Sequence, residues 1–164
     1  VLSTTRSKAR ITGITTGKIV DYGVKDSMNM GAAMAPAACD VIYHHLLDFE
    51  RKPEDYDKII TGDLGKVGKE ILIKLLREKG IDIAEIHTDC GIEIFDCEEQ
   101  GTQSGGSGCG CSAVTLSAYF LKQVEKGALK RILFVPTGAL LSTVSFNEGQ
   151  SVPGIAHAIV IEHA

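Results

Sequence analysis

The stretch from Val114 to Val124 restricts most what this chain can become. It reads as a helix, yet Val114, Leu116, Ala118, Phe120, Leu121 and Val124 do not keep to one stripe, and the positions between them up to Phe120 are Thr, Ser and Tyr. A helix apolar nearly all round expects cover on every side. Ahead of it runs Ser104-Gly105-Gly106-Ser107-Gly108-Cys109-Gly110-Cys111-Ser112-Ala113. These small residues offer backbone N–H groups, and the glycines take positive φ without strain. Such a loop entering a helix is a natural cradle for an anion, because first-turn N–H groups are unpaired and the dipole is positive there.

The rest of the chain alternates strands and helices. Ala9 to Val24, rich in Ile, Thr and Val, predicts a strand bent at Gly13 and Gly17, and Lys25 to Gly31 a loop. Met34 to Glu50 predicts a helix with Pro36 in its first turn. Tyr56 to Thr61 is a short strand, and Gly62-Asp63-Leu64-Gly65 a tight connection. Val67 to Lys79 is amphipathic, with Ile71, Leu72, Leu75 and Leu76 on its apolar face and Gly80 as C-cap. Ile81 to Gln103 is less regular; Ile83, Ile86, Ile92, Ile94 and Phe95 supply one short strand. Arg131 to Val135 and Ala156 to Glu162 are strands, separated by a Ser-, Thr-, Asn- and Gly-rich loop from Thr137 to Gly154.

That order implies an α/β sandwich with a mainly parallel sheet and an antiparallel final pair, forming a single domain over residues 1–164. A parallel sheet takes helices on both faces. Two of the helices are amphipathic and suit solvent; the third needs a further layer. An absent half of the protein, or a dimer partner, supplies it. The alternative is that residues 81–103 and 137–154 fold over it. The start at Val1 rather than Met reads as a fragment or a processed product.

Composition narrows the function. With 164 residues, 44% hydrophobic and a net charge of -4 without a Lys/Arg cluster, the chain has a core and no footprint for nucleic acid. No apolar run approaches the ~20 residues that span a bilayer, so the expectation is a soluble chain, or one peripheral to a membrane through a partner. Cys39, Cys90, Cys97, Cys109 and Cys111, without a secretory signal, read as reduced cytosolic thiols.

The common site motifs do not fit. Gly62 to Glu70 stands where a phosphate loop would, but five residues separate Gly62 from Gly68-Lys69, and Glu70 replaces the magnesium-binding hydroxyl. Gly106-x-Gly108-x-Gly110 is a broken dinucleotide fingerprint. The spacing of His87 and the cysteines matches no common zinc site, so no metal is assigned. Cys109 or Cys111 gains thiolate character from a helix N-terminus, but only His157, at the start of the last strand, is placed to act as a base. Asp26, Asp89, Glu93 and Asp96 read as solvated acids, and Asp63 as the one acid placed by its turn at a strand end, where α/β sheets bind ligands.

Four motifs together carry a resemblance over essentially the whole chain: Met30-Gly31-Ala32-Ala33-Met34-Ala35-Pro36-Ala37-Ala38, Thr61-Gly62-Asp63-Leu64-Gly65, Asp89-Cys90-Gly91-Ile92-Glu93-Ile94-Phe95-Asp96, and Ser104 to Cys111. The chain resembles the C-terminal half of the stage V sporulation AD family of spore-forming Firmicutes, within the thiolase-like superfamily. The resemblance implies a βαβαβαββ half with a mixed five-stranded sheet flanked by helices, whose third helix meets the N-terminal half of a longer protein. Condensing enzymes of the superfamily place a His after the second strand of this half and an Asn or His before its third helix. Those places fall near Gly62-Asp63 and Gly105-Gly106 to Cys111, which offer neither, and Ser151-Val152-Pro153-Gly154 replaces the Cys-containing glycine turn of thiolases. The resemblance therefore implies a reused, non-catalytic pocket for pyridine-2,6-dicarboxylate (dipicolinate), taken up into the developing spore. Its ligand set is Asp63, Ser104, Gly105, Gly106, Ser107, Cys109 and His157. Calcium accompanying the ligand would give Asp63 a role. Implied partners are the chain's own N-terminal half, spore membrane proteins of the same uptake complex and a second copy. An acyltransferase with a divergent site and a scaffold subunit are the competing readings.

Overall fold

The computed structural model describes residues 2–105 and 108–164. Its centre is a five-stranded sheet in the order β1-β7-β4-β2-β3, formed by β1 (Ala9–Thr15), β2 (Lys58–Thr61), β3 (His87–Asp89), β4 (Arg131–Val135) and β7 (Ala158–His163). β4, β2 and β3 are parallel, and β7 lies antiparallel to both β1 and β4. The sheet is therefore evenly mixed rather than mainly parallel, and β1 to β4 all point the same way.

β4 has the expected bounds, because five apolar or amphipathic residues buried on both faces leave no other period to fit. β1 is shorter than expected. Its register shifts between Ile11 and Gly13, and pairing ends at Thr15; residues 16–24 leave this sheet, and Val20 bridges to Gly154. β3 is built from His87, Thr88 and Asp89 rather than from the isoleucines, and Ile92 and Ile94 lie in α3 (Cys90–Ile94). The segment expected as loop carries structure of its own. β5 (Thr137–Ala139) and β6 (Gly154–Ala156) pair as a ribbon on either side of α6 (Thr143–Asn147).

One face of the sheet holds α1 (Met30–Asp48) and α2 (Gly65–Glu78), where Ile59, Leu133, Val135 and Val160 meet Ile42, Leu46, Leu72 and Leu76. α1 begins four residues earlier than expected, because Asn29 caps it by accepting from the Ala32 N–H at 3.3 Å. Pro36 thus falls in its second turn, at the cost of one helical hydrogen bond. Nor is α1 a solvent-facing amphipathic helix: Ala35, Ala37, Ala38, Cys39 and Val41 are buried on successive faces, against α2 and the β5–β6 ribbon.

The other face holds a single rod. α4 (Cys111–Thr115) and α5 (Leu121–Glu125) are joined by a π turn over Leu116–Phe120. Thr115, Phe120 and Val124 face Ile60, Ile132, Phe134 and Ile161. α3, within 81–103, packs against α4, while the opposite side of the rod carries Val114, 58% exposed, and Tyr119, 49% exposed. Ile14 stands exposed on the neighbouring edge strand, and Leu140, Leu141, Val144 and Phe146 at the tip of the ribbon.

The far end of α1 is fixed by a buried polar chain. Arg51 Nη1 donates to the Tyr56 hydroxyl at 3.1 Å, that hydroxyl is hydrogen-bonded to His45 Nε2 at 2.6 Å, and His45 Nδ1 to Thr15 Oγ1 at 2.7 Å. Burial, with the Arg51 charge beside it, pushes His45 down to about 4. The unfolded chain takes up this proton near pH 6.5 and the folded one only near 4, so stability is complete above 6.5 and is lost as the pH falls toward 4. Between pH 7 and 5 this one residue should cost about 2 kcal/mol. Urea denaturation at both pH values checks it: His45→Gln should flatten the pH slope by that amount, and an unchanged slope would refute the assignment.

Candidate functional site

Helices that follow parallel strands start at the carboxyl edge of the sheet, so α1, α2, α3 and α4 all begin there. The hub of this edge is Asp89, the last residue of β3 and the N-cap of α3, fully buried. Its Oδ2 accepts from Thr61 Oγ1 at 2.6 Å and from the Leu64 N–H at 2.9 Å. Its Oδ1 accepts from the Gly91 N–H at 3.0 Å and the Gly65 N–H at 3.2 Å. Burial pushes this carboxyl up and the neighbouring Asp63 adds to that, while the Thr61, Leu64 and Gly65 donors oppose it. The expectation that Asp89 is a solvated acid is thus overturned. Nothing in hydropathy marks it; Asp-x-Gly after a strand, read as an N-cap, was the available signal.

Because Thr61 gives its hydrogen to Asp89, it accepts at 3.0 Å from His87 Nε2, which is therefore the protonated ring nitrogen. His87 is buried and pushed down to about 3, chiefly by burial, with the Lys69 and Lys58 charges contributing. Its Nδ1 meets no partner among the described residues.

Asp63 follows in the β2–α2 turn and is 8% exposed. Gly91 packs so closely on it that a methyl group there would overlap Asp63 Oδ1 while lying 3.2 Å from Asp89 Oδ1. Beside Asp63 the edge turns polar. A methyl on Gly62 would come within 2.5 Å of Thr137 Oγ1 and 2.9 Å of Ser112 Oγ, so β2, the end of β4 and the start of α4 converge there. Thr137 Oγ1 is buried with no partner among the described residues.

The glycine-serine loop is fastened at its beginning. The Gln103 carbonyl accepts from the Val67 N–H at 3.0 Å and the Ser104 carbonyl from the Gly31 N–H at 2.7 Å. Ser104 Oγ donates to Asn29 Oδ1, the α1 cap. Gly105, at φ +82°, rests on the Asp63 carbonyl. Gly106 and Ser107 lie outside the described residues. The loop emerges at Gly108, at φ +84°, and Cys109, both exposed, and leads into Gly110, the N-cap of α4, which has no side chain to cap with.

The starts of α1, α2 and α3 are thus closed by acceptors from this chain: Ser104 and Asn29, Asp89 and Gln103, and Asp89 again. The residues Asp63, Gly105 and Ser112 are brought together. Ser104 is turned toward α1. His157 stands apart, exposed at the β1 side, with its Nδ1 accepting from the Gly17 N–H at 3.1 Å. Cys90 and Cys111 are both buried, and burial raises the Cys90 thiol. No group of three His, Cys, Asp or Glu among the described residues is placed to hold a metal. Among the described residues, one cleft lies between Gly17, Lys18, Asp40, His44 and Asp48, and another on the outer side of α2 by Ile73 and Ala84.

The comparisons fall on this frame. The stage V sporulation protein AD family matches residues 1–162. The chain belongs to that family. It is 44% identical over all 164 residues to stage V sporulation protein AD of Bacillus subtilis (strain 168) and spans 48% of that protein's length. It is also similar to a crystal structure of OleA from Xanthomonas campestris, with a TM-score of 0.51, 11% identity, and coverage of 96% of this chain and 59% of that one. That likeness establishes the fold as thiolase-like. No helix among the described residues is long and apolar enough to cross a membrane.

Gly91→Ala tests the packing of the site. Its methyl must displace Asp63, and the resulting overpacking should lower stability by about 1–3 kcal/mol, read as the denaturation midpoint. A neutral result would mean that Asp63 is free to move aside.

Proposed function

We propose that this chain is the C-terminal half of a longer thiolase-like protein that binds dipicolinate without transforming it, for uptake into the developing spore. The supporting observation is the convergence at Gly62, where Ser112 Oγ and the buried Thr137 Oγ1, which has no partner among the described residues, meet at the start of α4. A flat dianion suits hydroxyl donors at a helix start whose cap, Gly110, contributes no acceptor. Asp63 beside it suits a ligand that arrives with calcium. The positions where condensing enzymes of the superfamily carry His and Asn hold Asp63 and the glycine-serine loop here, which supports binding over acyl transfer. The exposed Val114 and Tyr119 face of the α4–α5 rod supports an upstream half packed against it. Spore membrane proteins of the same complex, and a second copy, are the further partners of this reading.

Calorimetric titration of the full-length protein with dipicolinate tests it. Binding should be saturable below millimolar ligand, with and without calcium, and absence of heat would overturn the reading. Ser112→Tyr should weaken binding at least tenfold. Thr137→Val removes a buried hydroxyl with no partner among the described residues, so it should leave the apo protein as stable or about 1 kcal/mol more stable while weakening binding. A variant that loses stability and keeps its affinity would show Thr137 to be structural only.

A further inference from the structure

We propose that Asp89 is the positioning residue of this site: without touching the ligand, it fixes where Gly62 and Asp63 stand. The turn between β2 and α2 carries both residues, and Asp89 grips it at either end. At the strand end it takes the Thr61 hydroxyl; at the helix end it takes the Leu64 and Gly65 amides. Its fourth bond, to the Gly91 N–H, draws in the residue that backs Asp63. Asp89 itself rides on β3, which pairs with β2 through Ile59–His87, Ile60–Thr88 and Thr61–Asp89, so the clamp is anchored in the sheet and not in a loop.

All four groups hydrogen-bonded to the Asp89 side chain act as donors, so a carboxylate satisfies all four. Asparagine fits best with its amide nitrogen in place of Oδ2, where it meets Thr61 and the Leu64 N–H. The Leu64 N–H then loses its acceptor. Thr61 then accepts from the new amide, and its own hydrogen turns to another acceptor beside it, the Thr88 carbonyl, so the strand end of the clamp is released.

This inference takes its ligand from the dipicolinate reading and its geometry from the hydrogen bonds alone. The test uses the full-length protein with Asp89→Asn, Thr61→Val and the conservative Thr61→Ser. Two quantities are read: dipicolinate affinity by calorimetry and the Asp63 carboxyl carbon shift. Folded Asp89→Asn and Thr61→Val should bind at least tenfold more weakly, and Thr61→Ser should stay within about twofold of the unaltered protein. Asp89→Asn should shift the Asp63 carboxyl signal. A folded Asp89→Asn or Thr61→Val that binds within twofold, or an Asp63 signal that does not move, overturns the inference. If Asp89→Asn does not fold, the two Thr61 variants decide. If the unaltered protein does not bind dipicolinate, the ligand assignment falls and the Asp63 signal alone decides the positioning.

Discussion

A buried carboxylate that accepts four hydrogen bonds is the constraint on which the carboxyl edge of this molecule depends. Asp89 caps α3 and also closes the start of α2, joining two helices and two strands through one side chain. Burying an ion unpaired is costly, and the structure meets that cost with donors rather than with a counter-ion. Donors that point at a carboxylate from the backbone cannot be moved without moving the elements that carry them. The edge is rigid for that reason, and rigidity there suits a site that must present hydroxyls and a helix start in fixed relation.

The two faces of the sheet follow different logic. Around α1 the packing is backbone against backbone. Gly31 admits Ser104 and the Gly68 amide, and Gly154 lies on the α1 backbone at Met34, so small residues set the approach of the chain. On the opposite face the α4–α5 rod buries one stripe and leaves Val114 and Tyr119 outside. A chain that spans 48% of its Bacillus subtilis relative presents, on that face, a surface of the kind another layer would complete.

The sequence reading was good where local pattern and tertiary role agree. α2 shows its apolar face at helical spacing and Gly80 takes the positive φ of a C-cap; β4 is a plain apolar run. The third helix was legible as one that lacks cover, although the π turn inside it was not. The failures share a cause. β3 is formed by His87, Thr88 and Asp89, residues with no strand signal, because their partners are the hydroxyl of Thr61 and the ladder to β2 rather than an apolar face. α1 is amphipathic by the spacing of its larger apolar residues alone, but its small residues are buried too and allow α2 and the ribbon to come close. At the candidate site, the Gly62-Asp63 turn was found from its place after a strand. Ser112 and Thr137 were not, since only the fold brings residues 62, 112 and 137 together.

The order of strands has a consequence for how the molecule is made. β7, the last strand of the chain, is inserted between β1, the first, and β4. Until it arrives, β1 has no neighbour in the sheet and Ile132, Leu133 and Phe134 lack one flank. Pairings this distant along the chain are slow to close. The facing edges of β1 and β4 therefore stay open until residues 158–163 are in place, and an open strand edge is a template for pairing with other chains.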